Sequence, residues 1–356
     1  MPPTRRHPTM ADVAERAGVS VSTVSRTLRG MTTVSPEARG RVEKAARDLS
    51  FVASRHASSL VTGKTGAVAV LAPTLRSWLV GSVLTGIGGV LRRAGLDLVI
   101  YSISDPAERA AFFDRLPARR NADALLVVSF DLTEGEYARL DGLGMPVVYV
   151  SQRAPGRTSV CIDEVAGACR GTQHLLNLGH RRIAFVRCTG TSGFAHRSQE
   201  RLTGYRKALA DAELPADDDL LVATPGGWAG TRKALGSLFG LRCPPTAVFA
   251  EADHIALEVI RVLRDGRVRV PEHVSVLGFD DQDLAEWIGL STVAQPAVEI
   301  GQSAAELAAA LIDDPGADQG RHIVLPTHLV PRGSTAPVAG GAAAEAGPPR
   351  GREAGP

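Results

Sequence analysis

Cysteine is scarce in this 356-residue chain, and its four copies, Cys161, Cys169, Cys188 and Cys243, include no Cys-x-x-Cys pair. That spacing excludes the usual zinc-ligand patterns and offers no disulfide framework, so reduced, mostly buried thiols and no metal are expected. No apolar stretch approaches the roughly 18 residues that a membrane helix needs, and Met1 to Pro8 lack the apolar core of a secretion signal, which points to the cytoplasm. The phosphate-binding signatures of α/β enzymes are also missing. Gly63-Lys64-Thr65 looks like the end of a P-loop, but Ser58 stands where its first glycine should be, and Gly86 and Gly88 would need a third glycine where Leu91 stands. There is no Gly-x-Ser-x-Gly elbow. No catalytic residue and no cofactor is therefore expected. An enzyme on a doubly wound sheet remains one alternative, and a stand-alone binding protein, which would call for a secretion signal, is the other.

What is present is organised unevenly. Residues 1–62 hold ten Lys/Arg against five Asp/Glu, or +5, while the whole chain is only +2, so the remainder carries −3. A basic head on a slightly acidic body suits a polyanion-binding module joined to something that does not bind polyanions.

Three short helical patterns fill the head. Thr9 with Asp12 three residues on makes a capping box, Val13, Ala14 and Ala17 form an apolar stripe, and Gly18 ends it. Ser20 caps a second segment from Val21 to about Leu28, on which Val24 and Leu28 should face inward. Ser35-Pro36 opens a third, with Val42, Ala45, Ala46 and Leu49 at helical spacing. A tight turn between two short helices is the geometry of a helix-turn-helix. It leaves Val21, Ser22, Ser25, Arg26 and Arg29 outward, where a major groove would lie, and Arg26 is long enough to reach the O6 and N7 atoms of guanine.

From Gly66 the texture changes to apolar runs separated by helical patterns. Strands are expected at 67–72, 96–103, 124–129, 147–151, 183–187, 220–223, 247–250 and 274–279, with helices at 80–94, 107–116, 166–178, 201–210, 230–239 and 254–264. Continuous apolar strands alternating with helices indicate parallel sheets covered on both faces, and eight are enough for two lobes. Residues 331–356 are rich in Gly, Ala and Pro without apolar periodicity and read as a disordered tail.

The run from Asp12 to Arg26 resembles the D-V-A-x-x-A-G-V-S-x-x-T-V-S-R signature of the LacI family of transcription regulators, and Val34-Ser35, Arg39, Val42, Ala45 and Leu49 continue its third helix. The resemblance implies an N-terminal all-α helix-turn-helix domain (1–50), a hinge (51–64) and a two-lobed, periplasmic-binding-protein-like α/β domain (65–330) for effector binding and dimerisation. It implies base contacts from Val21, Ser22 and Arg26, and phosphate contacts from Thr9, Thr23 and Ser35. Phe51 to Leu60 resembles the family hinge Y-x-P-N-x-x-A-R-x-L, with Ala53, Ser54 and Ser58 departing from it. Ala57 and Leu60 match, and Leu60 would wedge between base pairs in the minor groove.

In the body, Leu178 to Ile183, Arg201 to Tyr205 and Val274 to Asp281 resemble the family's L-G-H-R-R-I, R-x-x-G-[YF] and V-S-V-x-G-[FY]-D-D. Trp228, Arg201 and Asp280 match family ligand contacts, and Trp78 stands at the cleft entrance where Pro-Phe-Phe is common. A neutral sugar suits such a set, since Arg201 and Asp280 can bracket hydroxyls while an aromatic face covers the ring. Each has a plainer reading: Trp228 and Asp280 as helix caps, Arg201 as the partner of Glu200. Ala252 replaces the asparagine usual before Asp253. Pro337, Gly340, Gly341, Gly347, Pro348 and Pro349 break up the tail where tetrameric family members carry a leucine heptad, so a homodimer on an inverted-repeat operator is expected.

Overall fold

The computed structural model describes residues 8–28, 31, 33–51, 64–189, 195–316 and 319–338. The chain divides into two compact units between Gly66 and Ala67.

The first unit is built on α1 (Met10–Ala17), α2 (Val21–Leu28) and α3 (Pro36–Asp48). Thr9 caps α1 through a complete capping box: its N–H donates to the Asp12 carboxylate at 2.6 Å and its hydroxyl accepts from the Asp12 N–H at 3.3 Å. Gly18 ends the helix at φ +63°, the left-handed position a residue without Cβ adopts most readily. Val13, Ala14, Ala17, Val24, Val42 and Ala45 make the core, with Val19 and Leu49 packed against it. Leu28, expected inside, is 37% exposed; the inward position is taken by Thr27, whose hydroxyl donates to the Thr23 carbonyl at 2.9 Å. That internal bond removes the cost of burying the hydroxyl.

The second unit has two six-stranded sheets. Lobe 1 contains β1 (Ala67–Ala72), β2 (Asp97–Ser102), β3 (Ala124–Val128), β4 (Val147–Val150), β5 (Ser159–Ile162) and β11 (His322–Leu325), all parallel, in the order β11-β5-β4-β3-β1-β2. Lobe 2 contains β6 (Ile183–Cys188), β7 (Leu221–Thr224), β8 (Ala247–Ala250), β9 (Ser275–Asp280), β10 (Ser291–Ala294) and β12 (His328–Val330) in the order β12-β10-β9-β8-β6-β7, with only β12 antiparallel. Helices α4 (Trp78–Arg93), α5 (Pro106–Arg115), α6 (Ala118–Asn121), α7 (Glu134–Asp141) and α13 (Ala297–Asp313) go with lobe 1. Lobe 2 takes α8 (Glu164–Asn177), α9 (Ala195–Asp211), α10 (Gly227–Phe239), α11 (Asp253–Asp265) and α12 (Asp283–Trp287). The central strands β1, β3 and β8 are buried along their whole length because helices cover both faces, as continuous apolar runs require.

The chain passes between lobes three times, from β5 into α8, from β10 into α13, and from β11 into β12. The second passage returns a long helix to lobe 1, where α13 packs tightly along α4. A Cβ on Gly86 would lie 2.0 Å from the Val298 carbonyl oxygen, and one on Gly301 would lie 2.1 Å from that of Val83.

The disordered tail proposed from Pro331 starts too early. The Val276 N–H donates to the Ser334 carbonyl at 2.8 Å and the Val338 N–H to the Leu178 carbonyl at 2.9 Å, so residues 331–338 are held on lobe 2. His180, buried in the L-G-H motif, pairs with the Ala336 carbonyl at 3.0 Å and the Thr246 hydroxyl at 2.9 Å, and burial holds its pKa below the ordinary value. Backbone pairing does here what apolar periodicity does elsewhere. Residues 339–356 lie outside the described residues.

Candidate functional site

The carboxyl ends of the strands carry the chemistry. Ser129 follows β3 at φ +48°, Ser151 follows β4 at φ +56°, and Asp280 ends β9 at φ +121°, all in a region that non-glycine residues rarely occupy. Between the lobes lies a cavity of about 460 Å³, to which lobe 1 contributes Arg76, Trp78 and Leu79, and lobe 2 Arg197, Arg201, Glu251, Ala252, His254 and Asp280. A second hollow of about 470 Å³ shares Arg197 and is lined by Ser129, Tyr137, Ser151 and Gln152.

Arg201 is the hub of lobe 2. It is 4% exposed; its Nε donates to Glu164 Oε2 at 2.7 Å, its Nη1 donates to the Glu251 carbonyl, and Asp280 Oδ1 lies 3.5 Å away. Its guanidinium stacks 3.6 Å from the centre of the Phe279 ring. Burial alone would depress its pKa, but Glu164 and Asp280 outweigh burial and hold it above the ordinary value. Arg201 therefore pairs with Glu164, at the first turn of α8, and not with Glu200.

Asp280 is held by three groups: Gln295 Nε2 at 2.6 Å, Gln282 Nε2 at 3.2 Å, and Arg201. Beneath it, buried Asp253 accepts the Gln282 N–H at 2.8 Å and the Thr292 hydroxyl at 2.6 Å. Burial and the nearby Asp280 carboxylate push its pKa up. Ala252 lines the cavity and gives α11 no side-chain cap.

On the lobe 1 side, the Ser129 and Ser151 hydroxyls are buried without a hydrogen-bond partner among the described residues, while Gln152 Oε1 accepts the Phe130 N–H at 2.5 Å and its side-chain amide faces the Tyr137 hydroxyl. Such groups are costly unless something bonds them. Sequence reasoning missed these three, together with Arg76, Arg197 and Glu164. The available signal was their position: Ser129 and Ser151 directly follow apolar strands, where ligands of parallel sheets gather.

Of the four cleft residues expected, Trp78, Arg201 and Asp280 come together and Trp228 does not. Trp228 is 41% exposed, its Nε1 donates to Asp265 at 3.1 Å, and it lines a separate hollow with Arg232 and Phe239 between α10 and α11. A local hydrogen-bond partner and the Arg232 guanidinium, 5.0 Å from the ring, hold it there.

On α2, Val21, Ser22 and Arg26 are exposed and Ser25 is half-buried, four residues on one face. Thr23 turns toward Ser20, its hydroxyl 2.9 Å from the Ser20 hydroxyl, and Thr9 and Ser35 cap α1 and α3. Arg29, Ala57 and Leu60 lie outside the described residues.

The family model for bacterial regulatory proteins of the lacI family matches residues 9–54, and that for a periplasmic binding protein-like domain matches residues 172–335. The HTH-type transcriptional regulator CelR of Thermobifida fusca is 33% identical over 341 residues, which cover 93% of this chain and 99% of that protein. The chain belongs to the LacI family. A solved complex of the transcriptional regulator CelR with cellobiose aligns with this LacI-family regulator at 30% identity, covering 92% of this chain and 99% of that one, with a TM-score of 0.68. The lac repressor dimer bound to operator and the anti-inducer ONPF shares its fold, at 24% identity and a TM-score of 0.79 over 93% of this chain and 100% of that one. The LacI-family regulator is thus a DNA-binding transcription regulator with a helix-turn-helix head and a two-lobed body. No helix among its described residues is long and apolar enough to cross a membrane.

Proposed function

We propose that this regulator binds an inverted-repeat operator as a cytoplasmic homodimer, and that a sugar-class small molecule held between the lobes sets its operator affinity without being chemically changed. The observation that carries the reading is the cleft: Ser129 and Ser151, without hydrogen-bond partners among the described residues, line a hollow with Arg197, and Arg197 also lines the cavity that holds Arg201 and Asp280. Hydroxyl-rich ligands satisfy such groups, and Trp78 offers an apolar face. On the DNA side, Val21, Ser22, Ser25 and Arg26 read base edges while Thr9, Thr23 and Ser35 meet phosphates. The effector acts through its different affinities for the operator-competent and operator-incompetent states, so the factor by which it changes operator affinity equals the factor by which operator changes effector affinity.

Selection from a random duplex pool tests the DNA half. An inverted repeat should be enriched, and Arg26→Ala should cost about 1–3 kcal/mol and relax one base position in each half-site. Enrichment of no palindrome at all would refute operator recognition.

One short helix bears on the dimer. Trp287 is 85% exposed, Leu284 55% and Ile288, just past α12, 46%, an apolar group that a monomer gains nothing by displaying. A single helix-turn-helix makes few contacts, so two heads must act together, and a second copy of this face is the partner that brings them. Trp287→Lys should shift sedimentation from dimer toward monomer and weaken operator binding. A dimer as stable as before would place the interface elsewhere.

A further inference from the structure

We propose that Cys161 and His322 form a binding site for one soft monovalent metal ion, of the Cu(I) or Ag(I) class, on the outer edge of the lobe 1 sheet.

The two residues stand 161 apart in sequence and meet because β11 pairs with β5 in parallel register, His322 beside Ser159 and Val324 beside Cys161. His322, at the exposed start of β11, bridges two side chains of the neighbouring strand. Its Nδ1 lies 2.7 Å from the Ser159 hydroxyl and its Nε2 lies 3.9 Å from Cys161 Sγ. The Ser159 hydroxyl donates its own proton to the Arg157 carbonyl at 3.4 Å, which leaves its oxygen to accept the Nδ1 proton of His322. That bond fixes the tautomer and turns the lone pair of Nε2 toward the sulfur, the outer-shell arrangement that metal-binding histidines use.

The spacing suits an ion. Bonds of about 2.3 Å to sulfur and about 2.1 Å to nitrogen span about 3.6 Å at a tetrahedral angle and about 4.4 Å in a straight line, and the observed 3.9 Å lies between. An ion therefore fits between the two atoms with neither strand displaced. Among the described residues no third His, Cys, Asp or Glu joins them, which does not serve zinc, whose structural sites take four such ligands. One thiolate with one imidazole suits a soft ion instead.

Cys161 is 3% exposed, and burial pushes its pKa up to about 11; Arg153 opposes the shift, and Glu164, Glu200 and Asp163 add to it. A buried thiol held protonated in this way is a poor nucleophile and resists oxidation. A thiophilic ion displaces that proton: the S–H bond breaks, the proton passes to solvent, and the ion bonds to sulfur and to Nε2 with no change of oxidation state. It thereby ties β5 to β11, the strand that leads into the third passage between the lobes.

The test uses the full chain carrying Cys169→Ser, Cys188→Ser and Cys243→Ser, so that Cys161 is the one thiol. The probes are Cu(I), supplied without oxygen in competition with a chromogenic Cu(I) chelator, and Ag(I). One ion per chain is expected, with one proton released for each ion and a thiolate-to-metal absorption band. Ser159→Ala should weaken binding about tenfold, the lower end for loss of an outer-shell partner, and His322→Phe by more. Cys161→Ser should abolish it. Should the triple-serine chain not fold, ions are counted on the parent with and without Cys161→Ser, and the expected difference is one. An ion held as tightly after His322→Phe as before would reduce the site to a thiol alone and overturn the pair. Failure to retain either ion, or a preference for Zn(II) over Cu(I), would overturn the soft-ion assignment.

Discussion

Arg201→Ala should destabilise the two-lobed body by roughly 3–5 kcal/mol, the cost of removing one partner from a buried ion cluster. The sequence presents Arg201 as a ligand contact. In the structure its Nε is bonded to Glu164, itself 5% exposed, and its Nη groups face Asp280 and the Glu251 carbonyl. Alanine leaves the buried Glu164 and Asp280 carboxylates without the guanidinium that bonds them, with Asp253 near Asp280 and Arg197 the remaining nearby cation. The urea midpoint of the body should therefore fall, and pairing Arg201→Met with Glu164→Gln should recover part of the loss. A midpoint equal to the parent's would show that Arg201 is dispensable to the fold.

The second large effect is steric. Gly301→Ala adds a methyl 2.1 Å from the Val83 carbonyl oxygen, and Gly86→Ala adds one 2.0 Å from that of Val298. Both obstacles are backbone atoms, so no rotamer change relieves them and the helices must separate. Each substitution should cost about 3 kcal/mol, the upper end of ordinary overpacking, even though alanine gains about 1 kcal/mol in helix propensity. Gly88 on the same α4 has open space around it, so Gly88→Ala should be neutral or stabilising by up to about 1 kcal/mol. Equal melting temperatures for the three variants would mean that the α4–α13 approach is not tight. Because α4 begins at Trp78, a shift at Gly86 would also move that ring in the cleft.

How much was legible follows from where burial is one-sided or complete. β1 and β8 match their expected bounds, Ala67–Ala72 and Ala247–Ala250, because an unbroken apolar run has few other uses. β10, with the sequence Ser-Thr-Val-Ala, and the short edge strands β11 and β12 were not anticipated: their apolar residues are too few, and pairing partners far along the chain decide them. The 17-residue α13 escaped for a different reason. It is dominated by alanine and buried on several sides, which erases the stripe that marks a surface helix. In the site, Asp280 and Arg201 were visible through motifs, whereas Glu164 and the unpartnered serines depend on which strand ends the topology brings together. Trp228 shows the reverse limit, since its position along the chain says nothing of the Asp265 carboxylate that holds it.

The three passages between lobes also govern the order in which the body can be made. Lobe 1 owns residues 67–162, yet it lacks its covering helix α13 and its edge strand β11 until residue 325 has been synthesised. As the chain leaves the ribosome, the first five strands must wait with the α13-facing side of β3, β4 and β5 uncovered, while most of lobe 2 is added behind them. Neither lobe is a contiguous piece of polypeptide, so a fragment cut at the first passage carries an unfinished sheet, and the two halves reach completion almost together.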